Sequence, residues 1–316
     1  MIIVTGGAGF IGSNLIHALN QSGEDDILLV DNLTNGHKMQ NIADLNIADY
    51  MDKNEFIERL NNPNFLTHIR AVFHQGACSA TTEWDGRYIM ANNYEYSKRL
   101  LAWCQTKHIP FIYASSASVY GMGKNGFRVD RECEKPINMY AYSKFQFDQY
   151  VRRILPRANS QIVGLRYFNV YGAREQHKGS MSSTVYHFNQ QLQISDEVKL
   201  FTGCDGYADG EQQRDFVYVN DVVAVNLWFL HNTHCSGIFN VGTGQAQTFN
   251  AMAQTVIDWH DRGKISYIPF PEHLHGAYQS FTQADISELR DAGYEQEFMN
   301  VHQGVADYLN RLNRRA

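Results

Sequence analysis

The sequence predicts an α/β protein, a doubly wound parallel sheet with a smaller, interleaved α/β part. Three observations predict it. Short, continuous apolar runs recur at 2–5, 27–31, 71–74, 111–114 and 162–167, each too short for a helix. Longer amphipathic stretches separate them, among them 85–107 and 140–155. A glycine-rich turn joins the first apolar run to the first helix. Buried strands alternating with helices indicate a parallel sheet covered on both faces, because each crossover lays a helix on the sheet.

The elements follow in order. The first strand reads Ile2-Ile-Val-Thr5, and a helix is expected from about Phe10. Asp31 closes the second strand, His74 the third, and Ala114-Ser115-Ser116-Ala117-Ser118 follows the fourth. After Tyr171 the rhythm breaks: residues 172–213 are rich in Gly, Ser, Gln and charge, with one helix expected near 182–193. A strand is expected at 215–219, a helix to about Leu230, a strand at 237–241, and small α and β pieces thereafter. The expected division is therefore interleaved, with a larger domain over 1–170 plus about 214–242 and a smaller one over 171–213 plus about 243–316.

Composition narrows the class. With 44% hydrophobic and 19% charged residues among 316, the chain reads as an ordinary globular protein able to bury a sizeable core. A net charge of −6 argues against a dedicated nucleic-acid binder. Five cysteines, an odd number with no CxxC spacing, argue against a disulfide framework or a structural zinc site. His74, His177 and His187 are not at metal-ligand spacing, so no metal is expected. No charged n-region precedes Ile2, and no apolar run is long enough to span a bilayer, so a cytoplasmic protein without a membrane partner is expected.

The strongest local signal is Thr5-Gly6-Gly7-Ala8-Gly9-Phe10-Ile11-Gly12. Gly7, Gly9 and Gly12 satisfy GxGxxG, and Gly6, Gly9 and Gly12 satisfy GxxGxxG. Glycine is needed where a turn takes positive φ and where backbone approaches a pyrophosphate closely. The helix N-terminus then offers free N–H donors to the phosphates. With a strand before, a helix after and Asp31 ending the second strand, this is a dinucleotide-binding turn. Asp31 would bond the adenosine ribose hydroxyls, favouring NAD, whereas Asn32, Lys38 and Lys53 offer donors and charge to a 2′-phosphate, favouring NADP. Spacing leaves the two open.

Tyr140 and Lys144 form YxxxK, and residues four apart share a helix face. Ionising a phenol of pKa near ~10 at pH 7 costs roughly 4 kcal/mol. One unit charge at about 4 Å contributes roughly 4 kcal/mol at an effective dielectric near ~20. Lys144 is thus expected to make Tyr140 a usable general base and to hold the nicotinamide ribose. Ser116, at the carboxyl end of a strand where ligands of such sheets bind, is expected to bond the reacting hydroxyl. Ser115 and Ser118 are its rivals, with turn or cap roles.

TGGAGFIGSN, SSASVYG, YxxxK, RYFNVYG and RDFVYVNDV, in that order and over nearly the whole chain, resemble the extended short-chain dehydrogenase/reductase superfamily. Longer stretches at 44–50, 76–86, 177–181 and 281–285 resemble its branch that epimerises C6″ of ADP-linked heptoses for lipopolysaccharide. The resemblance implies a Rossmann domain, tightly bound NADP with Lys38 and Lys53 on its phosphate, an ADP-sugar substrate and a homo-oligomer, a pentamer. The implied chemistry is transient oxidation: hydride leaves C6″ and returns to the other face.

The resemblance also implies site residues. Tyr140 and Lys178 are the acid/base groups of the two faces. Gly6, Gly9, Phe10, Ile11 and Gly12 hold the cofactor phosphates. Asp31, Asn32, Lys38 and Lys53 lie at its adenosine end. Gln75, Gly76, Ala77, Ser79, Asn92, Lys144 and Val170 complete the cofactor set. Asn169 contacts the sugar, while Ser180, His187 and Arg214 surround the ADP-sugar, Arg214 on the pyrophosphate. Phe201 and Tyr278 line the nucleotide end. Arg166, inside a strand, is expected to pair internally.

Two departures from the family pattern stand out. The segment between Gly203 and Arg214 is longer and more polar, which bears on ADP selectivity, and Ala173 stands where proline is common. A sugar-nucleotide dehydratase is disfavoured, because Ala117 and Ser118 occupy the positions of its acidic pair. A UDP-sugar 4-epimerase is the enzyme alternative, and a catalytically silent redox-sensing Rossmann protein the non-enzyme one.

Overall fold

The computed structural model describes residues 1–62, 64–272 and 278–313. The chain forms two compact units, one of residues 1–119, 138–166 and 223–239, the other of 120–137, 167–222 and 240 onward.

The first unit opens with β1 (Ile2–Thr5), α1 (Phe10–Gln21), β2 (Ile27–Asp31), β3 (Asp49–Asp52), α2 (Lys53–Arg59) and β4 (Ala71–His74). There follow α3 (Gly86–Ile89), α4 (Tyr96–Thr106), β5 (Phe111–Ser116), α5 (Met139–Ile154) and β6 (Ile162–Tyr167). Every residue of β1, β2, β4 and β6 is buried, as a parallel sheet covered by helices requires. The edge strand β3 was not expected: Asp49 and Tyr50 are exposed and only Met51 is buried, so no apolar run marks it. α1 buries Leu15, Ile16 and Leu19 on one face, each contributing about 1.5–3 kcal/mol. α5 begins where the Asn138 side chain accepts from the Ala141 N–H at 2.8 Å.

The helix expected over 85–107 is broken in its middle. Met90–Glu95 form a π-helical turn between α3 and α4. Such turns insert one residue into an α-helix and cluster at functional sites.

The second unit carries β7 (Asn169–Tyr171), α6 (Thr184–Ile194), β8 (Glu197–Phe201) and β9 (Gln213–Tyr218). α7 (Val219–His231) and β10 (Gly237–Val241) run between the units' segments. β11 (Ala246–Thr248), α8 (Phe249–His260), β12 (Lys264–Ile268), α9 (Ser287–Asp291) and α10 (Val301–Leu312) complete the chain.

The large sheet has seven strands in the order β10-β6-β5-β4-β1-β2-β3. The chain winds one way from β1 through β3 and the other way from β4 through β6, so the order reverses between β1 and β4. That reversal opens a crevice at the strands' carboxyl ends.

The second unit has a three-stranded sheet, β11-β9-β7, and a two-stranded one, β12-β8. α8 packs on α6 and α10, burying Phe188, Leu192, Met252, Val256, Val305 and Leu309. The strand expected at 215–219 ends at Tyr218, and it pairs with β7 and β11 rather than joining the large sheet. The boundaries therefore differ from those expected at 120–137, 167–170 and 214–222. Residues 120–137 belong with the second unit because the Tyr120 hydroxyl bonds Asn240 at 2.6 Å and the Phe127 ring packs on Phe168 and Phe281. Among the described residues no helix is long and apolar enough to cross a membrane, and no cluster of His, Cys, Asp or Glu could hold a metal ion. The five cysteines are free thiols.

Candidate active site

The glycine turn sits at the reversal point. Gly6 adopts φ +68°, and a Cβ there would lie 2.5 Å from the Gly76 nitrogen, so β1 and β4 bring two glycines together and leave no room for a side chain. A Cβ at Gly12 would strike the Gly6 carbonyl, which packs the start of α1 against the turn. The turn is thus closed to side chains, a shape that such sheets use to approach a dinucleotide pyrophosphate. Phe10, Ile11 and Gly12 form the first turn of α1.

Asp31 is buried behind the turn. Its carboxylate accepts from the Ala8 N–H at 2.9 Å, the Asn32 N–H at 2.6 Å and the Lys38 ammonium at 2.8 Å. Asp31, Asn32 and Lys38 are thus brought together. Lys53, at the start of α2, instead donates to the Asn92 side chain at 2.5 Å. Asn41, which the sequence did not single out, is buried and donates to the Ala8 carbonyl at 3.0 Å.

The loop after β4 carries Gln75, Gly76, Ala77 and Ser79. Gln75 bonds the Asn226 side chain at 3.1 Å; Ala77 and Ser79 are exposed. Asn93, which the sequence analysis did not single out, holds this loop. Its carboxamide accepts from the Cys78 N–H at 2.8 Å and donates to the Cys78 carbonyl at 2.9 Å and to the Ser143 hydroxyl at 3.0 Å.

Ser116 ends β5, and Tyr140 lies in the first turn of α5. Burial holds the Tyr140 phenol above its ordinary pKa, and the neighbouring Ser116 hydroxyl opposes that rise. Lys144 is 4% exposed and donates to the Ala114 carbonyl at 2.7 Å. Burial lowers its ammonium to about 8, against the charge of Asp148. The expected acidification of Tyr140 by Lys144 is therefore not displayed: the phenol is raised, and the lysine, itself desolvated, is turned onto a backbone carbonyl. Ser115 is not a rival to Ser116, because its hydroxyl donates to the buried Asp148 at 2.9 Å. Arg166 pairs internally with that same Asp148, at 2.9 Å.

Behind Lys144 lies His74, held neutral at about 3 by burial and then by the lysine's charge. Its Nδ1 is 2.6 Å from the Thr5 hydroxyl and its Nε2 is 2.8 Å from the Ser97 hydroxyl. Ser97 spends its proton on the Asn93 carbonyl at 2.7 Å, so Nε2 carries the imidazole hydrogen and Thr5 donates to Nδ1.

In the second unit, Lys178 and Ser180 share the 3-10 turn Gln176–Met181, in which Gly179 takes φ +55°. Lys178 is half-buried; burial lowers its ammonium and Glu175 raises it. Glu175, unmarked by the sequence analysis, organises the segment. Its buried carboxylate accepts from the Gly172 N–H at 3.3 Å, and from the Ser183 hydroxyl at 2.7 Å and N–H at 2.5 Å, and its carbonyl accepts from the Lys178 N–H at 2.9 Å. His187 is half-buried on α6, its ring 5.8 Å from that of Tyr186.

Arg214 on β9 lies between the rings of Tyr278, at 4.7 Å, and Phe249, at 5.6 Å. Burial lowers its guanidinium, yet it keeps its charge at neutral pH. Phe201 and Tyr278 both pack on Phe270, at 5.6 and 5.3 Å, so Phe201, Tyr278 and Arg214 do come together. Phe249 and Phe270 are additions to the expected set. The long polar segment before Arg214 is a tied loop: Asp209 accepts from the Gly203 N–H at 2.8 Å, and Gln212 donates to the Thr202 carbonyl at 3.1 Å. Asn169 on β7 is exposed and accepts from the Thr282 hydroxyl at 3.3 Å; Val170 follows it.

A glycine cradle at a sheet's reversal point and a Ser–Tyr pair at the end of β5 define a class, that of nicotinamide-dependent short-chain dehydrogenases/reductases. Residues 2–242 match the model of the NAD-dependent epimerase/dehydratase family, and the chain belongs to that family. A curated relative from Alkalilimnicola ehrlichii, ADP-L-glycero-D-manno-heptose-6-epimerase, is 61% identical over 312 residues, covering 99% of this chain and 97% of the relative. The crystal structure of the Helicobacter pylori ADP-L-glycero-D-manno-heptose-6-epimerase is 31% identical with a TM-score of 0.85, over 99% of this chain and 96% of that one. The UDP-glucose 4-epimerase of Thermotoga maritima is 26% identical with a TM-score of 0.82, over 99% and 98%.

Proposed function

We propose that this protein interconverts ADP-D-glycero-D-manno-heptose and ADP-L-glycero-D-manno-heptose by inverting C6″, with NADP tightly bound, and supplies heptose for the lipopolysaccharide inner core. The observation that carries the substrate is the 61% identity to the heptose epimerase across 99% of the chain. The Ser116–Tyr140 pair beside Lys144 supports the chemistry. Cytoplasmic location and a homo-oligomer, a pentamer, belong to the same proposal.

The Gly6–Gly76 approach and the open N-terminus of α1 fit a dinucleotide pyrophosphate, with Gly9 and Phe10 at its phosphates. Asp31 and Lys38 fit the adenosine ribose; a 2′-phosphate there would draw the Lys38 ammonium from Asp31, the basis for NADP over NAD. When bound, a nicotinamide cofactor would supply reversible hydride transfer at C6″, and the positive charge of its oxidised form would favour the Tyr140 phenolate. Ser116 positions the C6″ hydroxyl. Tyr140 takes the proton as the C6″ carbonyl forms. Lys178 gives a proton to the oxygen when hydride is returned to the opposite face, its lowered pKa suiting it to both roles. Arg214 binds the substrate pyrophosphate, with Phe201 and Tyr278 along the nucleotide and Asn169, Ser180 and His187 along the sugar.

The test is incubation with ADP-D-glycero-D-manno-heptose and, separately, UDP-glucose, following each sugar by NMR. Inversion at C6″ of the ADP-heptose alone is the expected result. Inversion of UDP-glucose alone would overturn the substrate assignment. Phosphorus NMR of the cofactor released on denaturation distinguishes NADP from NAD.

A further inference from the structure

The structure assigns to Asp148 a positioning role: it clamps β5 to α5, and through that clamp sets Ser116 against Tyr140. The inference rests on the reading that Ser116, Tyr140 and Lys144 carry the redox chemistry, and it adds a residue that does not touch substrate or cofactor.

Asp148 and Arg166 are both 0% exposed. One carboxylate oxygen accepts from the Tyr113 hydroxyl at 2.9 Å; the other accepts from the Ser115 hydroxyl at 2.9 Å and from Arg166 Nε at 2.9 Å. Tyr113 and Ser115 point to one face of β5, because side chains alternate along a strand. Between them, the Ala114 carbonyl takes the Lys144 ammonium at 2.7 Å. Three consecutive strand residues are thus fastened to two positions of α5 one turn apart, and the next strand residue is Ser116. The arrangement is built for: Gly164 on β6 leaves room for the Tyr113 hydroxyl, which a Cβ there would strike. Arg166 on the same strand supplies the countercharge to the buried carboxylate.

The clamp also bears on Lys144. Asp148 is the carboxylate that opposes the burial lowering its ammonium. The other titratable groups around it are His74 on β4, held neutral, Tyr140 on its own helix, Tyr113 on β5 and Arg166 on β6.

Replacing Asp148 alone would leave the Arg166 charge buried without its partner, so the test removes both, in Asp148→Asn with Arg166→Met, and adds Tyr113→Phe with Ser115→Ala, which keeps the ion pair and deletes the strand's two hydroxyls. In each pair of substitutions kcat should fall about tenfold or more while KM and bound cofactor stay within about threefold. In the first pair the alkaline limb of the pH–kcat profile should also move to lower pH, because Lys144 loses the charge that keeps it protonated. The Tyr113→Phe/Ser115→Ala protein should keep that limb in place, which a merely structural weakening would not separate. Unchanged kcat in both folded double variants overturns the inference. Full activity in Tyr140→Phe would instead overturn the reading on which it rests.

Discussion

Two lysines proposed for the site, Lys144 and Lys178, are held in different ways. Lys144 stands on a long helix whose neighbours are fixed by bonds between elements: strand β5 to helix α5, and α5 to strand β6. Lys178 stands on a short 3-10 turn beside Glu175, whose bonds to Gly172 and Ser183 lie within eight positions of it. Both ammoniums are pushed down by burial, and in both a carboxylate opposes the shift, Asp148 for one and Glu175 for the other. The electrostatic recipe is shared while the mechanical one is not. A group that must meet a cofactor ring in fixed register gains from a stiff mount. A group that must meet a sugar in two orientations gains from a mount that adjusts.

Three experiments test that contrast and a fourth serves as its control, from the largest expected effect to the smallest. Tyr140→Phe removes the base from the stiff side; kcat should fall by about 10³-fold or more with cofactor still bound, measured by steady-state epimerisation and cofactor content. Lys178→Met removes the group on the adjustable side and should lower epimerisation about 10²-fold. Oxidation on the Tyr140 side should survive in that variant, seen as reduced cofactor accumulating in its near-ultraviolet absorbance. Epimerisation at the unmodified rate would end the two-sided scheme.

Glu175→Gln keeps the shape of the turn and deletes its charge, so kcat should fall about tenfold. The sign of its pH effect follows from Glu175 raising the Lys178 pKa: without it the ammonium is lost at lower pH, and the alkaline limb of the profile moves down. Tyr308, whose hydroxyl burial and then Glu175 hold far above the ordinary value, does not titrate near that limb. Lys38→Ala touches neither lysine under comparison; it should cut the preference for NADP over NAD about tenfold while kcat with saturating cofactor stays within about twofold.

The strands of the large sheet were legible because full burial on both faces writes an unbroken apolar run, as in Ile27–Asp31. Asp49–Asp52 was not, since an edge strand with two exposed residues carries no such mark. Strand β9 was legible as a strand but not as a member of the small sheet, because apolar content reports burial and says nothing of the partner. At the site, the spacing of Tyr140 and Lys144 disclosed a shared helix face, but the direction of a flexible ammonium, onto Ala114, is decided by three-dimensional packing. Asp148 repeats that four-residue spacing and was within reach of the same rule. Glu175 was hidden, because a buried carboxylate in a loop rich in Gly and Ser reads as one more solvated charge. Asp31 and Lys38, which the sequence offers to different groups of a cofactor, pair with each other, a contact that their spacing alone does not disclose.

The inserted turn at Met90–Glu95 also constrains the chain's tolerance to length changes. One amino acid deleted there would let the segment wind as ordinary α-helix, and each residue of such a helix turns the chain by roughly 100° and advances it about 1.5 Å. Everything on one side of the lesion would then face a new direction, so Asn93 would leave Cys78 and the His74–Ser97 relay would lose its terminus. A frame-preserving deletion in this helix should be far more damaging than the same loss in the largely exposed stretch at 205–209, a difference that a library of single-codon deletions would read directly.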